Sequence, residues 1–71
     1  MARRPLHTGT VTSFDDRAGL GEVCEDSGTT YAFHCTAIAD GSRTISVGLA
    51  VHFEVVAGRV GRLEADRVVP A

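Results

Sequence analysis

Short stretches in which apolar and polar residues alternate follow one another along the chain, separated by segments rich in glycine, aspartate and serine. Alternation with a period of two is typical of a strand that buries one of its faces. It is clearest over residues 47–56, where Leu49, Val51, Phe53 and Val55 fall on one side. The pattern therefore predicts a β-rich domain, with this stretch as its best-defined strand.

Five such stretches are predicted as strands, and none of the intervening segments has a convincing helical period. The strands are expected at residues 8–14, 19–24, 31–35, 47–56 and 62–69. A long surface connection should follow the third strand and contain one helical turn near residues 36–38. Five short strands without helices favour a small barrel, because closure removes exposed strand edges.

The alternation also predicts which side chains fill the core. In the first strand Val11 is expected to point inward, with Ser13 on the same side. In the third strand both aromatic residues should point inward. All the predicted core positions are apolar: Val11, Val23, Tyr31, Phe33, Ile38, Leu49, Val51, Phe53 and Val55.

Two glycines in the second predicted strand, Gly19 and Gly21, alternate with Leu20 and Glu22. Interior glycines usually mark a bulge, strong curvature or a close approach of backbones. A small barrel needs such curvature in its strands. Leu20 and Glu22 should then share the opposite face of the strand, and that face is the candidate working surface.

The length and charge of the chain restrict its function. Its 71 residues allow one domain, expected at residues 8–69 after a flexible N-terminal arm at residues 1–7. Nine carboxylates oppose seven arginines, there is no lysine, and the net charge is −2. This composition provides little positive charge for holding phosphates. No apolar run approaches the ~20 residues of a membrane span, and no signal peptide is visible, so a cytoplasmic location is expected.

The cysteines and acidic pairs do not predict reaction chemistry. If the second and third strands form a hairpin, Cys24 and Cys35 lie roughly 13–17 Å apart. A disulfide needs Cα atoms within about 7 Å, so two free thiols are expected. Asp15 and Asp16 are interpreted as turn residues. Because no cysteine or histidine shows metal-ligand spacing, we expect no metal, no cofactor and no enzyme activity.

From about Gly9 to Val68 the order of motifs resembles the bacterial cold-shock domain. The matching pieces are Gly9-Thr10-Val11 with Phe14-Asp15, the Gly19-x-Gly21 core, His34 with Thr36-Ala37-Ile38, residues 41–44, residues 51–55, Gly58 with Gly61, and Ala65 with Val68. This resemblance implies an all-β fold, a small five-stranded antiparallel barrel of the OB type. It also implies binding of single-stranded RNA or DNA.

Members of that family stack bases on exposed aromatic rings, and most of those rings are missing here. The substituted positions are Ser13 for the tryptophan, Leu20 and Glu22 in the glycine motif, Ala32 and Cys35 in the second motif, and Ser42 in the long loop. Stacking contributes about 1–3 kcal/mol per base. We therefore expect weak nucleic-acid binding.

The resemblance, together with the arginines, implies a binding site of six residues: Phe14, Leu20, His34, Arg43, Arg59 and Arg62. Phe14 and His34 are the two that still match the aromatic patch of the family. The expected partner is single-stranded RNA or DNA, with no membrane and no small-molecule substrate.

A second hypothesis stays open, in which the barrel is a protein-interaction or homodimerisation module that has lost nucleic-acid binding. It is based on the small and partly apolar surface that Leu20, Ala32, Cys35 and Ala50 would form around Glu22. Such a patch is a candidate interface.

Overall fold

A computed structural model describes residues 5–58 and 61–71, and these residues form a closed five-stranded barrel. Its elements are β1 (His7–Asp15), β2 (Leu20–Glu25), β3 (Thr30–His34), a 3₁₀ turn (Cys35–Ala37), β4 (Ala50–Ala57) and β5 (Leu63–Pro70). The strands neighbour one another in the order β1-β2-β3-β5-β4. The predicted all-β barrel and its single helical turn are thus confirmed. Among the described residues, no helix is long and apolar enough to span a membrane.

The core is a cluster of valines around two phenylalanines. Six large side chains are almost completely buried: Val11, Val23, Phe33, Val51, Phe53 and Val68. Of the predicted core, Ile38 is buried as well, while Tyr31, Leu49 and Val55 are half-buried and pack against the cluster. The prediction omitted Ala37, Ala65 and Val68, which are also buried.

A β-bulge in β1 overturns part of the predicted alternation. Val11 pairs with Val23, but the next pair is Ser13 with Glu22, so Thr12 is an extra residue in the ladder. A bulge of this kind shifts the facing of all later residues in the strand by one position. Ser13 is consequently exposed rather than inward, and Phe14 packs half-buried against Phe33.

β2, β3 and β5 are each displaced by one residue from the predicted bounds, and two larger differences concern the start of β4 and the direction of one strand pair. β4 begins at Ala50 and not at Val47, because Val47 and Gly48 form a turn in which Gly48 has φ +92°. The barrel is also not wholly antiparallel. β3 and β5 close it through a parallel contact between Ala32 and Glu64.

β1 begins at His7, one residue before the predicted start, and His7 joins a cluster at that end of the barrel. The His7 ring stacks on Phe53 with centroids 5.6 Å apart, and its Nδ1 donates a hydrogen bond of 2.8 Å to Glu25 Oε2. That bond is the main reason why the pKa of Glu25 is lowered. Burial, followed by the charge of Glu25, raises the pKa of Tyr31. The flexible arm at residues 1–7 stays a prediction, and its first four residues lie outside the described part of the chain.

Gly21 is the position where the backbone of β2 approaches the core most closely. A Cβ at this position would lie 2.6 Å from Phe33 Cζ and 2.8 Å from Phe14 Cδ1. Contacts this short force neighbouring atoms to move. The Ser13 carbonyl oxygen on β1 would lie 2.8 Å away as well, so the need for glycine comes from the two rings together with the backbone of the neighbouring strand.

We expect Gly21→Ala to lower the free energy of unfolding by about 1–3 kcal/mol, as overpacking a filled core does. Urea unfolding followed by Tyr31 fluorescence measures this loss. Gly61→Asn is the matched control, because nothing lies within 4 Å of a Cβ there and asparagine tolerates the φ of +78°. Equal losses in the two variants would contradict the assigned role of the rings.

The lowered pKa of Glu25 predicts the pH dependence of stability. A carboxyl group of lower pKa in the folded than in the unfolded chain stabilises the fold above its unfolded pKa, and this contribution disappears as pH falls through the folded value. Between about pH 7 and about pH 3, the urea midpoint of the wild type should therefore fall further than that of Glu25→Gln. Asp26→Asn, in the exposed part of the same hairpin, should keep the wild-type difference.

Candidate nucleic-acid interface

Five exposed residues of β1, β2 and β3 form the outer face, which we define as Ser13, Leu20, Glu22, Ala32 and His34. Two rows of cross-strand neighbours build it. Ser13 pairs with Glu22, which pairs with Ala32; beside this row, Leu20 pairs with His34. Direct cross-strand partners project from the same side of a sheet. The bulge at Thr12 is what brings Ser13 onto this face.

The outer face has a shallow depression at its centre, where Ser13 and Ala32 are small and Gly21 has no side chain. Ser13, Leu20, Glu22 and Ala32 line a depression of about 280 Å³ together with the backbone of Gly21. Leu20 is the large apolar side chain on it and is 49% exposed. The face therefore offers one aliphatic side chain and the imidazole of His34 as surfaces for a planar ligand.

Two glutamates are carried on the strands that neighbour Ala32. Ala32 lies between Glu22 on β2 and Glu64 on β5. With strands about 4.8 Å apart, the two glutamates are carried on backbones separated by about 10 Å. Glu64 also packs over Gly58 in the β4–β5 connection. The Glu64 carboxylate is thus directed away from Ala32, and Glu22 is the carboxylate that would repel a phosphate placed over Ala32.

The structure distributes the six predicted site residues over different surroundings. Leu20 and His34 are neighbours on the outer face. Phe14 stacks on Phe33 with centroids 6.0 Å apart and is half-buried at the end of the barrel. Arg62 is exposed in the turn before β5, and Arg59 lies outside the described residues.

Arg43 lines a recess next to the outer face, and this recess was not predicted. It lies between the β1–β2 turn and the loop that follows the 3₁₀ turn, with a volume of about 530 Å³. Arg17 and Arg43 lie on its walls, and Gly19, Cys35 and Ser42 also line it. Both cysteines of the chain are free thiols.

Sequence reasoning missed two charged residues at this site, Arg17 and Glu64. Neither residue belongs to a motif that predicts a site, so neither is given a role in the sequence analysis. Each gains its importance from a neighbour distant in sequence, Arg43 and Ala32 respectively. In the described part of the chain, no group of three histidine, cysteine or acidic side chains could hold a metal ion.

Comparisons with known proteins agree with this architecture. A family model described as the 'Cold-shock' DNA-binding domain matches residues 7–71, which contain all five strands. Cold shock-like protein CspA of Stigmatella aurantiaca (strain DW4/3-1) is 40% identical over 65 residues, covering 89% of this chain and 94% of the relative. Cold shock-like protein CspD of Escherichia coli (strain K12) is 34% identical over 67 residues, covering 92% and 89%. Cold shock protein ScoF of Streptomyces coelicolor is 32% identical over 68 residues, covering 93% and 100%.

Proposed function

The chain belongs to the cold-shock domain family, and on that premise we propose that it binds single-stranded RNA or DNA weakly through the outer face. The observation that carries the proposal is the exposed pair of Leu20 and His34 at the end of the β2–β3 ladder. An aliphatic side chain beside an imidazole ring offers a contact surface for one base. The protein acts as a binding module and not as an enzyme, as cold-shock domains do in general.

Low affinity follows from the chemistry of the outer face. Six positions that carry rings in the family hold small, aliphatic or acidic residues in this chain. If each lost ring contributes about 1 kcal/mol, the low end of the range for base stacking, the affinity for a single strand falls by several powers of ten. His34 alone cannot replace that loss.

Charge lowers the affinity further and makes it dependent on salt. Glu22 opposes the phosphates, while Arg43 and Arg62 attract them from the loop and from the β4–β5 turn. Few favourable phosphate contacts mean a small counterion-release contribution, and added salt screens it. We therefore expect measurable binding at low ionic strength and its loss as salt is added.

The competing function is a protein-interaction or homodimerisation module. The observation that favours it is the shallow depression bordered by Leu20 and Ala32, where the family stacks bases. A strictly monomeric protein in sedimentation at high concentration, with no partner recovered by pull-down from its host, would argue against this second candidate.

Fluorescence titration of labelled oligo-dT and oligo-U at low salt tests nucleic-acid binding. We expect saturable binding that weakens as salt is added, and a further loss in His34→Ala. The absence of binding at hundreds of micromolar protein, roughly the limit at which specific recognition is still measurable, would overturn the proposed function.

Two substitutions at Glu22 separate charge from stacking. Glu22→Gln removes a carboxylate and should raise affinity by up to about 5-fold, the value for a charge–charge term of about 1 kcal/mol. That gain should fade at high salt. Glu22→Phe also supplies a ring, so part of its gain should persist at high salt. Thr8→Phe places the same ring at the start of β1, beside His52 of β4 and away from the outer face, and should leave the affinity unchanged.

A further inference from the structure

We propose that the recess beside His34 holds one nucleotide of the bound strand, with its base inside and its phosphate against Arg17 and Arg43. The inference rests on the proposed function and specifies where the strand is held. It assigns a role to residues outside the outer face. The ligand chemistry is a planar base joined to a phosphate.

The recess continues directly from the pair of residues that carries the proposed function. Leu20 pairs with His34, and one step further along the ladder the Cys35 N–H donates to the Gly19 carbonyl over 2.8 Å. Gly19 and Cys35 both line the recess. A strand that contacts His34 is therefore one nucleotide step from the opening.

Small residues leave enough room for a base. Gly19 has φ +67°, and a Cβ there would lie 2.9 Å from Cys35 Sγ. Ser42 faces these residues from the long loop, and the buried Ile38 contributes an apolar lining. The volume of about 530 Å³ lies within the ~300–1,000 Å³ of small-molecule clefts. A base can thus enter a concavity at a place where no aromatic ring is available for stacking.

Hydrogen-bonded turns fix both walls of the recess. On one side, Asp15 Oδ1 accepts hydrogen bonds from the backbone N–H groups of Arg17 and Ala18, at 3.0 and 3.2 Å. On the other, Asp40 Oδ1 accepts the Ser42 N–H at 2.8 Å, and this bond lowers the pKa of Asp40. Walls that are already ordered lose little conformational freedom when a ligand binds.

The charges around the recess suit a phosphate better than those at Ala32. Neither Arg17 nor Arg43 forms an ion pair with another described residue. The planar guanidinium group of arginine can donate two parallel hydrogen bonds to a phosphate. The lining of the recess carries two such positive groups and one carboxylate, that of Asp16. Over Ala32 a phosphate meets the exposed Glu22 instead. The strand should therefore place its phosphate at the recess.

Alkylation of the two thiols tests this placement, because Cys35 lines the recess and Cys24 lies at the far end of β2, paired with Thr30. Iodoacetamide labelling of each cysteine is followed by peptide mass spectrometry with and without saturating oligo-dT. We expect the oligonucleotide to slow labelling of Cys35 several-fold and to leave Cys24 unchanged. Thymidine 5′-monophosphate is the second probe, and protection by it alone would make the recess a site for free nucleotides and overturn the placement of a strand.

Three variants of equal charge change provide a second measurement. Arg17→Gln and Arg43→Gln should each weaken oligo-dT binding several-fold at low salt and reduce its salt dependence. Arg67→Gln is the matched control, because Arg67 is exposed on β5 and its nearest ion-pair atom, Glu54 Oε2, is 3.6 Å away. Arg67→Gln should bind like the wild type.

The outcomes separate this inference from the function on which it rests. If oligo-dT binds but does not protect Cys35, or if all three arginine variants weaken binding equally, the placement in the recess is wrong while the function stands. If no oligonucleotide binds in the fluorescence titration, the proposed function fails and this inference fails with it.

Discussion

The rest of the structure depends on one contact, in which the backbone of Gly21 packs against the rings of Phe33 and Phe14. The two rings stack with centroids 6.0 Å apart, and any Cβ at Gly21 would meet both of them. Glycine at this position lets β2 curve onto the core, and the alternation of the strand then places the neighbouring Leu20 and Glu22 on the outside. One steric constraint thus holds this end of the barrel together directly beneath the outer face.

Aromatic bulk lies inside this barrel rather than on it. Phe33 and Phe53 are completely buried, and Tyr31 packs against Phe53 with ring centroids 5.8 Å apart. The outer face, by contrast, has no aromatic ring other than the imidazole of His34. Because the fold is stabilised by the inner set, residues of the outer set can change without loss of the barrel. Family membership therefore establishes the architecture more firmly than it establishes the strength of binding.

Local alternation predicted the strands and most of the core, because a strand that buries one face has apolar residues at every second position. It could not predict the bulge at Thr12, since the extra residue is defined only by the pairing of Ser13 with Glu22 across the sheet. The candidate site was predicted in part for the same reason. Leu20 and His34 belong to recognisable motifs, whereas Arg17 meets Arg43, and Glu64 meets Ala32, only when the barrel closes.

Closure therefore creates an asymmetry of charge that no single segment contains. Pairing of β1, β2 and β3 leaves Glu22 exposed between Ser13 and Ala32, while the β1–β2 turn and the loop after the 3₁₀ turn bring two arginines to the recess. Under the proposed function, Glu22 would repel a polyanion at the centre of the outer face, and the two arginines would attract it at the end of that face. Its bases could still reach Leu20 and His34, because these lie between the two regions. On a barrel with so few rings, the position of the phosphates would then decide the register in which a strand binds.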